Sequence, residues 1–290
     1  MTRLLSEEAI EQYRRDGFYV PVSVLDPSEA AALRGTLESS VAECGGGSKG
    51  SPRSHLLFRW LAELIRSPRL LDAVEDLIGP NIMCWGCQWW IKEPLSPHFV
   101  SWHQDSQYWG IDTDDLVSAW VALSPATVES GCMRFIPGSH LGPDMPHRDT
   151  WQDDNMLSRG QEIAVGIDEG EAVDIEVSTG EAALFNYRLA HASHPNRSDD
   201  RRIAIAIRYV PPDARQSLAD WDSATLVRGE DAYGYFEHEP MPAHDFDPVA
   251  VAFHRRTEDN LHRIILRGTD RTEHRIWQTG RADGGAGKSP

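Results

Sequence analysis

The fold is most constrained by residues 80–212, where short runs of β-prone residues alternate with turn-forming residues. β-Branched and aromatic residues favour strands, and Ser-Gly, Pro-Gly and Thr-Gly pairs interrupt them. The runs are "NIMCWGCQWWIKEP", "LVSAWVALSPA", "CMRFIPGS", "EAVDIEVSTGEAALFNYRLAH" and "RRIAIAIRYVPP". Many short strands without helices between them predict a sandwich or jelly roll, a double-stranded β-helix of the cupin type.

Helical patterns flank this β-rich region. "LSEEAIEQYRRDG" has a serine cap and a glycine stop, and Asp26, Pro27 and Glu29 form a capping-box arrangement before the next helix. Two further amphipathic helices are separated at Ser67-Pro68, and "DPVAVAFHRRTEDNLHRIIL" predicts one helix near the C-terminus. We therefore predict a mainly β protein with helical cover, organised as one domain over 1–275 (helical cover about 6–78, jelly-roll core about 80–212, C-terminal cover about 213–275) and a disordered tail over 276–290.

The charge of the chain limits its partners. A formal net charge of −17 repels nucleic acids and anionic membranes, and it disfavours a bulky polyanionic substrate. No run of about 18 apolar residues is present, and the N-terminus lacks the apolar region of a secretory signal. We expect a cytoplasmic protein whose partner is a small-molecule substrate, with no nucleic acid and no membrane. The oligomeric state is left open.

The four cysteines, Cys44, Cys84, Cys87 and Cys132, are too few for a disulfide scaffold. Cys84 and Cys87 form a C-x-x-C pair, but the residues that follow predict more strand, whereas a redox dithiol sits at a helix N-terminus. A zinc knuckle would require a second pair. We therefore expect buried structural cysteines.

The segment "SWHQDSQYWG" places His103 and Asp105 two positions apart. If the segment is a strand, both side chains project from one face and can reach one metal ion. The alternative is a solvated loop. His191 and His194 follow a later strand, which a jelly roll can bring alongside the first. Two imidazoles and one carboxylate on one face form the facial triad of non-haem Fe(II) oxygenases.

In "RRIAIAIRYV" the parity of the strand separates Arg202, Ala204, Ala206 and Arg208 from the isoleucines. The isoleucine face is expected to pack under the helices and the alanine face to line the interior. An inward arginine is costly unless an anion pairs with it, and a carboxylate is the natural bidentate partner. Arg201 has the opposite parity. The alternative is an arginine pair on a solvated strand end.

At this point the sequence resembles the phytanoyl-CoA dioxygenase-like family of Fe(II)/2-oxoglutarate-dependent oxygenases. The resemblance runs from "RRDGFYVPVSVLD" to about residue 212. It is carried by "GPNIM", "WHQDSQYWG", "VSAWVALSPATVESGCMRFIPGSH" and "HASHPNRSDDRR", in this order.

The resemblance implies the cofactors Fe(II), 2-oxoglutarate and O2, and it implies a role for individual residues. His103, Asp105 and His191 correspond to the iron ligands; His191 is preferred over His194 because Ser193 and Asn196 then fall into register. Arg202, eleven residues after His191, corresponds to the arginine that binds the distal carboxylate of 2-oxoglutarate. The remaining positions where family members touch the co-substrate correspond to Ser193, Trp120 and Gln88.

The implied activity is hydroxylation of an unactivated C–H bond in a small free metabolite, such as an amino acid derivative, phosphonate or natural-product intermediate, with release of succinate and CO2. Desaturation or cyclisation can follow from the same chemistry. A cupin-like metal-binding protein without turnover and a zinc hydrolase are the other hypotheses. Asp105 makes halogenation unexpected, and the acidic chain departs from relatives that bind acyl-CoA. Candidate substrate residues are Tyr108, Trp109, Trp90 and Arg208, with Arg134 and Lys92 as further cationic side chains.

Overall fold

The computed structural model describes residues 2–43 and 47–271. Its helices are α1 Glu7–Asp16, α2 Pro27–Glu43, α3 Arg59–Leu64, α4 Pro68–Ile78, α5 Ser106–Trp109 and α6 Pro248–Ile265. Its strands are β1 Phe18–Ser23, β2 Ile82–Lys92, β3 Val100–His103, β4 Ile111–Asp112, β5 Val117–Ala122, β6 Met133–Phe135, β7 His147–Asp149, β8 Gln161–Ile163, β9 Val173–Ile175, β10 Glu181–Asn186, β11 His191–Ser193, β12 Arg202–Val210, β13 Arg215–Gln216, β14 Ser223–Arg228 and β15 Glu237–His238.

Two sheets form the core. The larger has seven strands in the order β1-β10-β5-β12-β2-β14-β15, and the smaller has four in the order β3-β11-β6-β9. β12 lies in the larger sheet and pairs antiparallel with both β2 and β5 along most of its length. Strands that neighbour each other in space come from distant parts of the chain, as in a jelly roll. The predicted fold class, mainly β with helical cover, is confirmed.

The two faces of β12 have the predicted environments. Ile203, Ile205 and Ile207 are fully buried in a cluster that includes side chains of α1, α3 and α4. Ala204 and Ala206 belong to a different cluster on the opposite face. Each buried isoleucine contributes roughly 1.5–3 kcal/mol. This burial fixes the register of β12, and therefore decides which arginine points inward.

Local capping explains where the N-terminal helices begin and end. Ser6 accepts a hydrogen bond from the Ala9 N–H at the start of α1, and Gly17 ends the helix with φ +85°. In α2, Asp26 accepts from the Glu29 N–H at 2.9 Å, while the Glu29 carboxylate accepts from the Asp26 N–H at 2.8 Å. This reciprocal pair is the predicted capping box.

The C-terminal region contributes more than cover. β14 lies beyond residue 212, the predicted end of the core, yet it joins the larger sheet through β2. α6 begins at the predicted Asp247-Pro248 and is tied to the N-terminal half where Ser51 Oγ contacts His254 Nε2 at 2.6 Å. The predicted disordered tail, residues 276–290, lies outside the described residues.

The C-x-x-C pair lies within β2 and not at a helix N-terminus. Both Cys84 and Cys87 are fully buried, and burial raises the pKa of the Cys84 thiol to about 12. A buried thiol of this kind is inert, in agreement with the expected structural role. None of the helices within residues 2–43 and 47–271 combines the length and apolar character that a bilayer crossing requires.

Candidate metal and co-substrate site

His103, Asp105 and His191 converge inside the jelly roll. His103 ends β3, His191 begins β11, and the two residues are direct partners in the antiparallel pairing of these strands. One ligand atom from each of the three side chains lies within 4.8 Å of the others. Both histidines are buried and Asp105 is half-buried. The three side chains can therefore reach a single ion.

Asp105 reaches this cluster by a different route from the one that the sequence suggested. β3 ends at His103, and Asp105 has helical backbone angles (φ −65°, ψ −31°) at the start of α5. His103 and Asp105 are therefore not residues i and i+2 of one strand, and the prediction that they share a strand face is wrong. Instead, the Asp105 N–H donates to the Tyr187 carbonyl at 3.0 Å, which turns the chain back toward His103.

Backbone carbonyls set the tautomers of both histidines. His103 Nδ1 lies 2.9 Å from the Ser101 carbonyl, and His191 Nδ1 lies 2.9 Å from the Leu189 carbonyl. A carbonyl only accepts, so each Nδ1 carries the hydrogen and each Nε2 keeps its lone pair. Burial lowers the pKa of His191 to about 3, which keeps it neutral. Two neutral imidazoles with fixed Nε2 lone pairs and one carboxylate fit Fe(II).

The residue between the first two ligands, Gln104, is also fixed. Its side-chain amide donates to the Arg188 carbonyl at 2.6 Å and accepts from the Met145 N–H at 2.8 Å. Its own N–H donates to His147 Nε2 at 3.0 Å. Gln104 is 1% exposed, so these bonds are shielded from water and hold the bend between His103 and Asp105.

Arg202 is a buried cation without a counter-ion among the described residues. It is 3% exposed, its guanidinium stands 5.2 Å from the centroid of the Trp120 ring, and it makes no ion pair with any residue in 2–43 or 47–271. Its buried Nε has no hydrogen-bond partner in the same part of the chain. An unpaired buried charge is costly, and a carboxylate would satisfy this one. The site therefore fits the distal carboxylate of 2-oxoglutarate.

A second buried basic residue, Lys92, orients the hydroxyl of Ser193. Lys92 lies opposite Arg202 in the pairing of β2 with β12, and its Nζ donates to Ser193 Oγ at 2.6 Å and to the His194 carbonyl. Burial and the nearby Arg202 charge hold the pKa of Lys92 well below its usual value. Because Ser193 Oγ already accepts this bond, its hydrogen is available to a carboxylate beside Arg202. The sequence suggested Lys92 only as a cationic side chain that could bind the substrate.

The structure separates the preferred residues from their sequence alternatives. Arg201 points outward and its Nε donates to Glu93 at 2.8 Å. His194 Nε2 lies 3.0 Å from Arg134, outside the cluster, and Arg134 is engaged by Glu169 at 2.7 Å. Arg202 and His191 are thus the members of each pair that face the interior.

The remaining predicted residues divide into two groups. Gln88, Trp90, Trp109 and Arg208 line the same cavity as the metal cluster, together with Trp120 and Ser193. Tyr108 is not among the lining residues; its ring packs edge-on against His147, and the Arg159 guanidinium stands 5.5 Å from the ring centroid. The structure therefore does not bring Tyr108 to the cavity.

Sequence reasoning missed four polar residues that line the cavity, Lys49, Ser118, Ser158 and Gln161. Lys49 lies in "GGGSKGSP", which indicated only a flexible break. Ser118 has the strand parity of Trp120, so alternation along β5 could have placed it inside. The apolar Leu261 and Ile265 of α6 complete the wall.

Comparison with known proteins agrees with this geometry. The family model described as phytanoyl-CoA dioxygenase (PhyH) matches residues 13–204. A protein of Stutzerimonas stutzeri named "Probable alpha-ketoglutarate-dependent hypophosphite dioxygenase" is 32% identical over 163 residues, covering 55% of this chain and 56% of that protein. Human peroxisomal phytanoyl-CoA dioxygenase is 31% identical over 153 residues, covering 50% of this chain and 44% of that protein. The chain thus spans about half the length of the curated relatives it matches.

Among solved structures, the apo form of the non-heme monooxygenase ThoJ is similar over nearly its whole length. The TM-score is 0.79 with 34% sequence identity, and the match covers 89% of this chain and 97% of that protein. The similarity therefore covers more of the chain than the family-model match does.

Proposed function

Because this chain belongs to the phytanoyl-CoA dioxygenase family of Fe(II)- and 2-oxoglutarate-dependent oxygenases, we propose that it hydroxylates a C–H bond of a small free metabolite. We further propose that residues 1–275 form one oxygenase domain that acts in the cytoplasm. The observation that carries the proposal is the unpaired Arg202 in the cavity that His103, Asp105 and His191 also line. A metal-binding protein without turnover would need the ligands but no buried cation beside them.

In this proposal, His103, Asp105 and His191 hold Fe(II), while Arg202 and Ser193 hold the distal carboxylate of 2-oxoglutarate. When bound, iron and 2-oxoglutarate convert O2 and a C–H bond into an alcohol, succinate and CO2. The ring of Trp120 covers the Arg202 guanidinium and limits its access to water. Gln88 orients Arg208. With the Gln88 amide oriented so that its oxygen faces the neighbouring donors, this oxygen accepts from Trp90 Nε1 at 2.8 Å and from Arg208 Nη2 at 3.0 Å.

The hydrolase hypothesis lacks support from the cavity. A zinc hydrolase requires a general base that is not a metal ligand. Asp105 is the one carboxylate among the described residues that line this cavity, and it belongs to the ligand cluster. The cavity offers cations, neutral imidazoles and indoles instead, which suit the binding of anions next to a metal.

The proposal is tested by binding and turnover measured together. Under anaerobic conditions, wild-type protein should bind 2-oxoglutarate only with Fe(II) present, giving a visible charge-transfer band, and should release succinate on exposure to O2. His103→Ala and Asp105→Ala should lose the band and the succinate while keeping the far-UV circular dichroism of wild type. His194→Ala is the matched control, because it removes a nearby histidine outside the cluster. A full band and full succinate release in either cluster variant would refute the ligand assignment.

A further inference from the structure

The cavity holds a second set of hydrogen-bond donors, which the proposed function does not use. It consists of Lys49, Ser118 and Arg208, all of which line the same cavity as the metal cluster. Their exposed fractions are 6%, 2% and 7%, so they are shielded from bulk water. All three can donate hydrogen bonds, and two can carry positive charge.

Within the described part of the chain, the direct contacts of the Arg208 guanidinium are with neutral groups. Its Nη1 donates to the Ala206 carbonyl at 3.2 Å, its Nη2 reaches the Gln88 amide oxygen, and its guanidinium stands 5.1 Å from the centroid of the Trp109 ring. It forms no ion pair with the residues described in 2–43 and 47–271. Arg208 pairs with Gly86 of β2, where a Cβ would lie 3.2 Å from the Pro52 carbonyl oxygen and 3.4 Å from Arg208 Cδ.

Ser118 carries a polar atom without a partner. It is the neighbour of Arg208 across β5, in the antiparallel pairing with β12, so both side chains point to the same side of the sheet. Its buried Oγ has no hydrogen-bond partner within the described part of the chain. Buried hydroxyls in native proteins are normally satisfied. A ligand oxygen between Ser118 and Arg208 would satisfy both.

Lys49 reaches the cavity from the loop that crosses β2. Its Nζ lies 4.0 Å from the centroid of the Trp90 ring, and its hydrogen bond to the Met156 carbonyl is long, at 3.4 Å. Burial and the Arg208 charge lower the pKa of Lys49 to about 7, with Asp105 acting in the opposite direction. The Arg208 charge thus disfavours the charged form of Lys49, and an anion bound by both side chains would relieve this repulsion.

This donor set is separate from the 2-oxoglutarate anchor. Arg202 and Arg208 lie on the same face of β12 but six residues apart, which is roughly 20 Å along a strand. The Asp105 charge acts on Arg208, whereas it does not contribute to the lowered pKa of Arg202. The two arginines therefore occupy opposite ends of the cavity, and one five-carbon diacid anchored at Arg202 does not also neutralise Arg208.

The indole rings exclude a cationic substrate. The faces of Trp90 and Trp109 are already covered by Lys49 and Arg208, so they do not form an aromatic cage for an ammonium group. With a divalent metal and a dianionic co-substrate, whose charges cancel, the described lining residues retain an excess of positive charge. A positively charged ligand would be repelled there.

We propose that the substrate is an anion whose carboxylate or phosphonate group is bound by Lys49, Ser118 and Arg208. The inference rests on the proposed oxygenase function and names the substrate class of that site. The planar guanidinium of Arg208 would supply the bidentate contact, and Ser118 and Lys49 would bind the remaining oxygens. The Asp105 charge acts on Arg208, so this subsite lies near the proposed metal ligands, and a C–H bond next to the bound anionic group would lie near the metal.

The test measures binding of small anions by protein that already holds metal and co-substrate. Protein with Fe(II) and 2-oxoglutarate is kept anaerobic and titrated with acetate, methylphosphonate, phosphite and methylammonium, followed by the charge-transfer band and by thermal shift. We expect acetate or one of the phosphorus oxyanions to perturb the band and raise the melting temperature, and methylammonium to do neither. Which of the anions binds more tightly separates a carboxylate subsite from a phosphonate subsite.

Variants separate this subsite from the co-substrate site. Arg208→Gln and Lys49→Met should weaken anion binding at least ten-fold while changing the Kd of 2-oxoglutarate less than two-fold, and Arg202→Gln should do the reverse. Ser118→Ala should weaken anion binding several-fold in a protein that folds normally, because its hydroxyl has no partner to lose. Arg201→Gln, the outward neighbour, is the matched control.

Three outcomes would overturn the inference. These are equal anion binding by folded Arg208→Gln and wild type, loss of 2-oxoglutarate binding in the Lys49 and Arg208 variants, and no response of wild type to any anion. Failure of the proposed function looks different, because the metal-dependent 2-oxoglutarate band would then be absent before any anion is added.

Discussion

Replacing Arg202 by methionine should make the ligand-free protein more stable and at the same time weaken co-substrate binding strongly. Burial lowers the pKa of Arg202 from 12.5 to about 10. A folded-state pKa below the unfolded one means that the charged form is disfavoured by folding, and this cost is fully present at neutral pH. At about 1.4 kcal/mol per factor of ten in proton affinity, the cost is on the order of 3 kcal/mol.

Methionine keeps an unbranched apolar stem in the same place and removes the charge. Allowing for imperfect packing, we expect the free energy of unfolding to rise by about 1–3 kcal/mol, in the range seen when buried charges are replaced by apolar side chains. A domain of this size gains roughly 2–4 °C in melting temperature per kcal/mol. Loss of a buried charge pair with the ligand carboxylate costs about 2–5 kcal/mol, which weakens 2-oxoglutarate binding roughly 30- to 4,000-fold.

The assay is thermal unfolding of anaerobic, Fe(II)-loaded protein with and without 2-oxoglutarate. Without ligand, wild type should have a lower melting temperature than Arg202→Met. Its melting temperature should rise when 2-oxoglutarate is added, since a ligand at 100 times its Kd stabilises the folded protein by about 2.7 kcal/mol. Without ligand, Arg202→Met should melt at a higher temperature than wild type, and 2-oxoglutarate at the same concentration should raise its melting temperature by less than half of the wild-type shift. The outward Arg201→Met should behave as wild type. If Arg202→Met melts below wild type without ligand, or shows the full wild-type shift with 2-oxoglutarate, the unpaired-charge argument is refuted.

Three further perturbations test the surroundings of the site. Lys92→Met should weaken 2-oxoglutarate binding about ten-fold without changing metal affinity, because Ser193 loses the bond that orients its hydroxyl. Gln104→Ala should lower the free energy of unfolding by about 1–3 kcal/mol and weaken metal binding, measured by denaturant unfolding and calorimetry. Glu258 lies in α6, where its carboxylate accepts from Ser51 Oγ at 2.5 Å. Burial raises the pKa of Glu258 from 4.5 to about 7, so the stability of the protein falls as pH rises from 4.5 to 7. Glu258→Gln should match wild type near pH 4.5 and exceed it by up to about 3 kcal/mol at pH 8.

For each of these three predictions, one experimental result would contradict it. Additive losses in a Lys92→Met, Ser193→Ala double variant would show that the lysine does not act through the hydroxyl. Unchanged metal affinity in Gln104→Ala would remove its role in holding the bend between the ligands. A constant difference in stability between Glu258→Gln and wild type across pH 4.5–8 would contradict the linkage argument.

Regular periodicity made much of the core predictable. Strand parity alone placed Arg202 inside and Arg201 outside, because the isoleucines of β12 can be buried on only one face. The same periodicity assigned the alanine face to the interior. Where side-chain burial fixes the register, a sequence pattern is enough to decide orientation.

Irregular backbone and long-range contacts were not predictable in this way. The position of Asp105 depends on a turn that is held by the Tyr187 carbonyl, 82 residues later in the chain. Lys49 reaches the cavity because its loop lies across β2, and no local pattern encodes that placement. β14 follows the predicted end of the core but joins the larger sheet as its sixth strand. The local sequence pattern does not indicate which strands will pair in this way.

The contact between Ser51 and His254 links the loop that carries Lys49 to the helix that supplies Leu261 and Ile265. The proposed iron and 2-oxoglutarate residues lie in or next to the two sheets, whereas part of the cavity wall comes from the segment before β2 and from α6. These two segments contact each other directly. A chimera that transplants one of them from a relative without the other would break their shared bond, so new substrate preferences should be sought by exchanging both together.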